Sequence, residues 1–403
     1  MSNFQTIFEI IQGAHPESPA IGAPDRRYLT FGQLTDLCAR TRRVLNGGGI
    51  GRNERVAIVL PNGAEMATAF TAISCAATTA PLNPAYRREE FEFYLDDLNA
   101  RALVVEAGSD SPAVAAAREL GIRICYLHGN SEGAAGDFEL ECPSTEPKSD
   151  GPVQPDDVAL ILHTSGTTSR PKIVPLSHRN VSASAHNIMR SLSLTEHDRC
   201  LNIMPLFHIH GLIAAVLASL RAGASISCSP GFNALKFFGW IDETKPTWYT
   251  AVPTMHQAIL SRAAKNQNVI QNNPLRFIRS SSSSLSPQVM SELERVFDAP
   301  VVEAYGMTEA AHLMACNPLP PGKRIAGTVG KAAGPEVAIM DEDGELLESG
   351  STGEIVIRGD NVTRGYENNP KANTENFTHG WFRTGDQGSI DPDGYISITG
   401  RLK

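Results

Sequence analysis

The residues best suited to chemistry lie in one polar run, Thr164 to Lys172, which reads TSGTTSRPK. Hydroxyl donors, backbone N–H groups and a cation are the combination that binds phosphate oxygens. Gly166 also leaves the backbone free to curve around an anion. We therefore interpret the run as a phosphate-binding loop, although the same residue types also form ordinary surface turns. The predicted ligands are Thr164, Ser165, Gly166, Thr167, Thr168, Ser169 and Lys172.

The loop is not a Walker loop. Gly330-Lys331-Ala332 is the one Gly-Lys pair outside it that is followed by a small residue. It lacks both the upstream glycine and the Ser or Thr after the lysine. A nucleotide site in this chain must therefore be built in another way.

The elements around the loop alternate between strand and helix periods. Short apolar runs at 159–163 and 173–176 flank it and predict buried strands. Further strands are predicted at 55–60, 102–105, 122–127, 200–204, 225–228, 248–251, 277–280 and 301–304. Helices are predicted at 64–77, 88–98, 112–120 and 212–222, with a capping box at Thr30 and Gln33 and a cap at Ser177.

This alternation predicts a fold of class α/β: two α/β subdomains with mostly parallel sheets packed with helices, at 1–195 and 196–326. The stretch 129–155 has no period and is predicted to be a mobile connection. From residue 327 short strands and Asp-Gly turns predict a smaller antiparallel β-barrel-like subdomain, at 327–399. Because ligands bind beyond the carboxyl ends of strands in open α/β sheets, the loops there are expected to converge on the phosphate loop.

Two of these loops carry further chemistry. Tyr305, Thr308 and Glu309 can supply a ring to stack on a base, a hydroxyl for a phosphoryl oxygen and a carboxylate for Mg²⁺. The alternative is a helix start capped by Thr308 and Glu309. His208 and His210 suggest a metal pair, but alternate residues of an extended stretch face opposite ways and no third ligand is near. His208 is therefore predicted to meet a substrate carboxylate, with an ordinary core or surface histidine as the alternative.

Four motifs resemble, in order, those of the adenylate-forming superfamily of acyl-CoA synthetases, peptide-synthetase adenylation domains and luciferases. They are Thr164 to Lys172, Tyr305 to Glu309, Trp381 to Asp386 and Gly400 to Lys403. Two positions depart from the family pattern, because most members have glycine where this chain has Ser169 and Ile173.

The resemblance implies an AMP-forming acid-thiol ligase that uses ATP, Mg²⁺ and coenzyme A. It implies catalytic roles for Lys172, Thr308, Glu309 and His208, with Glu309 also holding Mg²⁺. Asp386 and Arg401 are implied to contact the ribose or phosphates. The implied nucleotide-binding residues are those of the loop together with Ser282, Glu303, Ala304, Tyr305, Gly306, Met307, Thr308, Asp386 and Arg401.

The acid site is predicted to be polar. Residues 279–284 read RSSSSS where many relatives carry small Gly and Ala residues, and His312 adds a second imidazole to His208. Such a pocket suits a short, doubly charged acid better than a fatty chain. The stretches 247–257, 276–287, 303–320 and 361–370 look most like the oxalyl-CoA synthetase subfamily of the coumarate-ligase-like branch. Its substrate contacts are then expected to be His208, Ser282 and His312.

The function predicted from the resemblance is therefore ATP-dependent activation of a small carboxylic acid, oxalate by preference, to an acyl-adenylate. In the full-length enzyme, thioester formation with coenzyme A is expected to follow. One alternative is a ligase for an aromatic or medium-chain acid, with incidental histidines. Another, from a different class, is a non-catalytic AMP- or ATP-binding module, against which Lys172, Glu309 and Asp386 count.

Charge, hydropathy and cysteine content limit the kinds of partner and location that this protein can have. The 403 residues carry a formal charge of −9 and a pI near 5.7, which argues against a nucleic-acid or anionic-membrane surface. The sequence shows no long apolar run, so no membrane span is expected. Seven cysteines without a Cys-x-x-Cys pair predict a reducing compartment, a cytoplasmic location and no disulfide.

The position of the last motif gives one more expectation. Members of the superfamily continue past the Gly-Arg-x-Lys motif into a smaller C-terminal domain that rotates about a hinge, here residues 400–403. Lys403 is the last residue of this sequence. The chain is therefore predicted to be a large N-terminal adenylation domain, 1–403, with impaired adenylation and no thioester formation by itself.

Overall fold

The structure is a computed structural model that describes residues 4–164 and 170–402. Thr164 and Lys172, the two ends of the predicted phosphate loop, are within these ranges. The predicted ligands Ser165, Gly166, Thr167, Thr168 and Ser169, and the hinge residue Lys403, lie outside the described residues.

The chain before the phosphate loop forms an alternating α/β region. Its strands are β1 (Pro19–Ala23), β2 (Arg26–Thr30), β3 (Arg55–Val59), β4 (Thr78–Pro81), β5 (Ala102–Glu106), β6 (Arg123–Gly129), β7 (Phe138–Glu141) and β8 (Val158–Thr164). Its helices are α1 (Ile7–Gln12), α2 (Phe31–Gly47), α3 (Ala64–Ser74), α4 (Arg88–Asp97) and α5 (Pro112–Glu119). The capping box at Thr30 and Gln33 is confirmed: each side chain accepts a hydrogen bond from the other's backbone N–H, at 3.2 and 3.0 Å.

The alternation continues after the loop. The strands are β9 (Lys172–Ser177), β10 (Arg199–Asn202), β11 (Ser225–Cys228), β12 (Trp248–Ala251), β13 (Phe277–Ser280), β14 (Val301–Met307), β15 (His312–Cys316) and β16 (Lys331–Ala332). The α-helices are α6 (His178–Ser191), α7 (Ala218–Arg221), α8 (Phe237–Thr244), α9 (Pro253–Ala263), α10 (Gln267–Asn272) and α11 (Pro287–Phe297). Most of the helix predicted at 212–222 is a π-helix, His210–Leu217, and short 3₁₀ turns span Ala264–Asn266 and Thr308–Ala310.

The last part of the chain is mostly β structure. It contains β17 (Glu336–Met340), β18 (Thr352–Arg358), α12 (Pro370–Asn376), β19 (Phe377–Thr378), β20 (Trp381–Ile390) and β21 (Ile396–Arg401). These strands form a five-stranded antiparallel sheet in which β20 pairs with β18, β19 and β21. The sheet is the curled antiparallel unit that the turn-rich sequence predicts.

The other strands form two mixed sheets. The first has the order β7-β6-β5-β3-β4-β8-β9, with β6 to β8 parallel and an antiparallel strand at each edge. The second has the order β16-β15-β14-β13-β12-β10-β11-β1-β2, with β14 to β1 parallel. The predicted fold class is confirmed. The hairpin β1–β2 pairs with β11, so the chain enters the second sheet before it builds the first.

Helix α3 shows how the two large sheets share one core. Every residue of α3 except Glu65 is buried, and α3 packs against both β3 and β11. A helix that is buried on nearly all sides must lie in such an interior position. Burial of each large apolar side chain, such as Phe70, stabilises the folded state by about 1.5 to 3 kcal/mol. The core therefore holds the two sheets as one support for the loops at their ends.

Two expectations for the stretch after β6 are wrong. Part of the connection predicted at 129–155 is β7, because Phe138 and Leu140 alternate into the core and the strand pairs with β6. This hairpin places Cys125 and Cys142 opposite each other, with Cα atoms 4.4 Å apart, and the two form a disulfide. The sequence predicted no disulfide because strand pairing, and not cysteine spacing, brings these thiols together.

No helix in residues 4–164 and 170–402 is both long and apolar enough to cross a membrane.

Candidate active site

The predicted site residues line a single cleft of about 720 Å³. It opens beyond the carboxyl ends of the parallel strands β13 and β14, with β8 and β9 on one side and β20 and β21 on the other. Predicted residues that line it are Thr164, Lys172, His208, Ser282, Glu303, Ala304, Tyr305, Gly306, Met307, Thr308, Glu309, His312, Asp386 and Arg401. The structure thus brings together every predicted site residue that it describes, while their binding roles stay predictions.

A tight hairpin positions Glu309. Strand β14 does not end at Ala304, as the sequence predicted, but continues to Met307 and pairs with β15. Gly306 permits this close pairing, because a Cβ atom there would lie 1.8 Å from the carbonyl oxygen of His312. The 3₁₀ turn Thr308–Ala310 joins the two strands, so Thr308 and Glu309 are held at the tip of a rigid hairpin.

Glu309 is held between a phenol and an ammonium group. Its side chain is buried, and the hydroxyl of Tyr366 donates a hydrogen bond of 2.7 Å to Oε1. Burial raises the pKa of Glu309 above its ordinary value, while the Tyr366 hydrogen bond and the charge of Lys172 oppose that rise. The Lys172 Nζ lies 4.5 Å from the centroid of the Tyr366 ring. Tyr366 therefore contacts both the Glu309 carboxylate and the Lys172 ammonium group, the two charged residues of the predicted phosphate and magnesium site.

The segment that carries Tyr366 is fastened to the Glu309 hairpin. Asn361 Nδ2 donates hydrogen bonds of 2.8 Å to the carbonyls of Ala310 and Leu313. The backbone N–H of Thr363 donates to the carbonyl of Glu309, at 2.7 Å. The sequence alone indicated no role for this segment in the site. The available signal was an Arg-Gly-Tyr triplet just after the polar Asn361, in one of the stretches that carried the subfamily resemblance.

The far end of the cleft joins three predicted nucleotide contacts. Asp386 lies inside β20, opposite Arg401 of β21, and accepts hydrogen bonds from the guanidinium of Arg401 and the hydroxyl of Tyr305. Burial, followed by the nearby Asp386 carboxylate, raises the pKa of Tyr305. Both Asp386 oxygens thus have protein partners. A ribose that binds Asp386 must share or replace them.

The predicted acid contacts lie at the other end. His208 is exposed to the cleft, and its Nδ1 accepts a hydrogen bond of 3.3 Å from the backbone N–H of His210, which leaves Nε2 to carry the proton. Ser282 and His312 have φ values of +72° and +97°, a region that side-chain-bearing residues rarely occupy. Backbone strain of this kind clusters at functional sites. The structure therefore supports a special role for both residues.

Behind Ser282 and His312 lies a buried charged group that was not predicted from the sequence. The guanidinium of Arg279 is fully buried and contacts His312, Thr250 and His210. The available sequence signal was a charged residue within the short strand predicted at 277–280. In the structure all four residues of β13 are buried. His210, for which the sequence suggested only a metal pair with His208, is also fully buried.

Asp97 of α4 is a further residue that the sequence did not single out. It accepts a hydrogen bond of 3.1 Å from His163 Nε2 and pairs with the guanidinium of Arg170. His163 directly precedes the predicted phosphate loop and Arg170 lies within it. One carboxylate of α4 thus contacts the chain on both sides of residues 165–169.

The cleft fits a magnesium ion that is shared with a nucleotide. The part of the chain that the structure describes contains no group of three His, Cys, Asp or Glu residues able to hold a metal. Mg²⁺ is commonly bound by one or two carboxylates together with substrate phosphates and waters. Glu309, with the hydroxyls of Thr164 and Thr308 on the same cleft, supplies the hard oxygen ligands for such a shared site.

The fold and the cleft are those of a nucleotide-binding α/β enzyme, and comparison with known proteins gives the family. The family model described as AMP-binding enzyme matches residues 8–367. The chain is 44% identical to the oxalate–CoA ligase of Arabidopsis thaliana, over 98% of this chain and 78% of the relative. It is 42% identical to the oxalate–CoA ligase of Saccharomyces cerevisiae, over 88% of this chain and 70% of the relative.

A solved structure shows the same fold. The ATP-bound MatB of Rhodopseudomonas palustris superimposes with a TM-score of 0.85 at 28% identity, over 98% of this chain and 78% of MatB. This chain belongs to the AMP-binding enzyme family. As an AMP-forming acid-thiol ligase of that family, it uses ATP, Mg²⁺ and, as co-substrate, coenzyme A.

Proposed function

We propose that this chain activates a short dicarboxylic acid, oxalate by preference, to an acyl-adenylate that coenzyme A then converts to a thioester. The observation that carries the choice of acid is the polar end of the cleft, where His208, Ser282 and His312 line the same space as Lys172 and Glu309. A second carboxylate there meets hydrogen-bond donors, whereas a fatty chain would leave them unsatisfied. The two oxalate–CoA ligases among the relatives support the same choice.

The proposed chemistry needs no covalent protein nucleophile. One carboxylate oxygen of the acid attacks the α-phosphorus of ATP, and pyrophosphate departs. Lys172, Thr308 and the predicted loop residues neutralise and orient the phosphate oxygens, which is the usual route to catalysis of phosphoryl-type transfers. Glu309 would hold Mg²⁺, which would supply further charge stabilisation for the leaving pyrophosphate. The coenzyme A thiol then attacks the acyl carbon, and AMP leaves.

The nucleoside has a defined place in this proposal. Tyr305 offers a ring for the adenine, and Asp386 and Arg401 offer a carboxylate and a guanidinium for the ribose and phosphates. Glu303, Ala304, Gly306 and Met307 belong to the same strand, β14, and line the same cleft. Ser282 lines the same cleft and is proposed to contact both the nucleotide and the acid. The cytoplasmic location expected from the cysteine pattern stays a prediction.

One observation favours the alternative of an aromatic acid. The side chains of Tyr86, Tyr94 and Phe207 also line the cleft, and the first two rings stack with centroids 4.8 Å apart. An aromatic acid can bury its ring against such a surface. The polar and aromatic sides of the cleft thus predict different acids.

A panel of acids separates these candidates. Pyrophosphate release is measured with oxalate, malonate, succinate, 4-coumarate and octanoate at equal concentrations. Binding of the matching acyl-sulfamoyl-adenosine analogues, which cannot react, is measured by calorimetry. We expect oxalate to give the highest kcat/KM and its analogue the lowest Kd. A preference for 4-coumarate or octanoate in both measurements refutes the oxalate proposal, and AMP binding with no acid-dependent turnover or analogue binding favours a non-catalytic module.

A further inference from the structure

A cation without a carboxylate partner lies behind the acid end of the cleft. Arg279 is fully buried, and among the described residues no salt bridge joins it to an Asp or Glu. Its Nη2 lies 2.9 Å from His312 Nε2, and its Nη1 lies 3.3 Å from both Thr250 Oγ1 and His210 Nε2. A buried charge with neutral partners alone is costly. Its retention suggests a task beyond folding.

The contacts of Arg279 have a fixed direction, because a guanidinium only donates hydrogen bonds. His312 Nε2 must therefore accept, and a neutral imidazole then carries its proton on Nδ1. Burial, with the nearby charge of Arg279, lowers the pKa of His312 well below its ordinary value, so the ring is neutral. A Cβ atom built on Gly306, which lines the cleft, would lie 3.3 Å from this Nδ1. The His312 donor thus stands at the cleft wall.

The contact from Arg279 to His312 is one chain of hydrogen bonds. A second chain of hydrogen bonds runs from Arg279 through Thr250 and His210 to Ser282. Thr250 Oγ1 accepts from Arg279 and lies 2.6 Å from His210 Nε2, so its own hydrogen points to that nitrogen. Burial, followed by the neighbouring His312 ring and the charge of Arg279, lowers the pKa of His210 well below its ordinary value, and the neutral ring carries its proton on Nδ1. Nδ1 donates to Ser282 Oγ at 3.0 Å, which leaves the Ser282 hydroxyl hydrogen free to point into the cleft.

We propose that Arg279 is a positioning residue that fixes both His312 and, through Thr250 and His210, Ser282 as hydrogen-bond donors toward the second carboxylate of the acid. The inference rests on the proposed function and deepens it, since it names the group that sets the acid preference. Arg279 itself does not line the cleft. It acts on the acid through the two chains.

This arrangement selects for an anion without placing a full charge in the cleft. Both chains start at the same cation, and every hydrogen bond in them points toward the acid, so their dipoles add in a poorly solvated region. The positive φ values of Ser282 and His312 show that the backbone holds the two terminal donors in uncommon conformations. An acid with an apolar tail offers these donors no acceptor.

Two substitutions test these chains of hydrogen bonds, one acting on both chains and one on a single chain. Arg279→Met removes the origin of both, and Thr250→Val removes the hydroxyl of one while keeping its shape. We expect each to raise the KM for oxalate, Arg279→Met by about tenfold or more and Thr250→Val by less, with the KM for ATP within about twofold of the parent. Thr250→Ser retains the hydroxyl and should restore most of the oxalate affinity. Arg295→Met, at an exposed arginine of α11, is the matched control.

Nitrogen-15 NMR of histidine-labelled protein shows which ring nitrogen of each histidine carries the proton, and it needs no substrate. We expect His210 and His312 of the parent to be neutral, with the proton on Nδ1, and Arg279→Met to move the His312 proton toward Nε2. Assignments come from His210→Gln and His312→Gln. Thermal melting identifies a variant that fails to fold, and Thr250→Val then carries the test.

The possible failures are distinct. A parent that prefers apolar acids refutes the proposed function. A parent that prefers oxalate, but whose Arg279→Met and Thr250→Val variants change the KM for oxalate no more than that for ATP, refutes the role of Arg279. A His312 proton found on Nε2 in the parent also overturns it, whatever the substrate.

Discussion

The hydroxyl of Tyr366 donates a hydrogen bond of 2.7 Å to Oε1 of Glu309, and the ring of the same tyrosine faces the ammonium group of Lys172. Burial, followed by the nearby charge of Glu309, raises the pKa of Tyr366, so the phenol stays protonated and donates. One side chain therefore positions both the proposed magnesium ligand and the proposed phosphate cation. Substitutions of Tyr366 can therefore remove the hydroxyl contact to Glu309 without removing the ring contact to Lys172.

Tyr366→Phe should weaken the use of MgATP while preserving the ring. Without the hydroxyl, the effect of burial on Glu309 is less compensated and its pKa rises further, so the carboxylate that is proposed to hold Mg²⁺ becomes protonated at a higher pH. We expect the acidic limb of the kcat/KM profile for MgATP to move upward, and KM to rise about fivefold, the equivalent of one hydrogen bond. Tyr366→Leu also removes the ring beneath Lys172 and should cost more. Tyr126→Phe in β6 is the control; an unmoved acidic limb in Tyr366→Phe contradicts the assignment.

Lys172→Ala and Glu309→Gln should each depress adenylate formation strongly. Both charged groups line the cleft and, in the proposed reaction, meet charge that develops on the departing pyrophosphate. We expect kcat/KM to fall about 100-fold or more, with thermal unfolding little changed. Pyrophosphate release provides the measurement, and Lys265→Ala, at an exposed lysine, provides the control. Near-normal release in either cleft variant would remove that residue from the site.

His208→Ala and His312→Ala should affect the acid more than the nucleotide. Each imidazole is proposed to donate to the second carboxylate, so its loss weakens oxalate binding. We expect the KM for oxalate to rise about tenfold and the KM for ATP to change by less than about twofold. His197→Ala, at an exposed histidine after α6, should change neither. Unchanged oxalate affinity in both cleft variants argues that these histidines do not meet the acid.

Stability should fall as the pH decreases from about 6.5 toward 4, because two buried histidines resist protonation. Burial lowers the pKa of His178 and of His256 from 6.5 to about 4. Below pH 6.5 the unfolded chain binds protons that the folded chain does not, so the stability that is complete above pH 6.5 is lost through this window. Between pH 7 and 5 the loss amounts to about 2 kcal/mol for each histidine.

Urea unfolding at a series of pH values measures this effect. His178→Gln should flatten the decline of the unfolding midpoint between pH 7 and 5, even where it lowers stability at pH 7. His197→Gln, an exposed histidine, should leave the decline as it is in the parent. An equal pH dependence in all three proteins would show that His178 is not protonated on unfolding in this range.

Local sequence determined much of the architecture. Strand and helix periods gave the α/β class and most elements to within a few residues, because burial on one face imposes a repeat that any short window contains. The capping box at Thr30 and Gln33 was readable for the same reason, as its two partners are three residues apart. The cleft residues could also be predicted, since contiguous polar runs such as Tyr305 to Glu309 follow apolar strands.

Other features depended on pairing between distant segments. The disulfide of Cys125 and Cys142 requires the hairpin of β6 and β7, and the hairpin β1–β2 joins a sheet whose other strands follow residue 198. Neither pairing leaves a local repeat. Strand order is decided by which edges the packed helices leave free, and this is a property of the whole core.

The tertiary structure alone decided the electrostatics of the site. Arg279, Thr250 and His312 come from β13, β12 and β15, and the sequence shows none of their contacts. Tyr366 reaches Glu309 from a segment that follows β18. The types of these residues are written in the sequence. The sequence does not show the direction of each hydrogen bond or the protonation of each imidazole. Both depend on burial and on donors that only folding brings to a distance of about 3 Å.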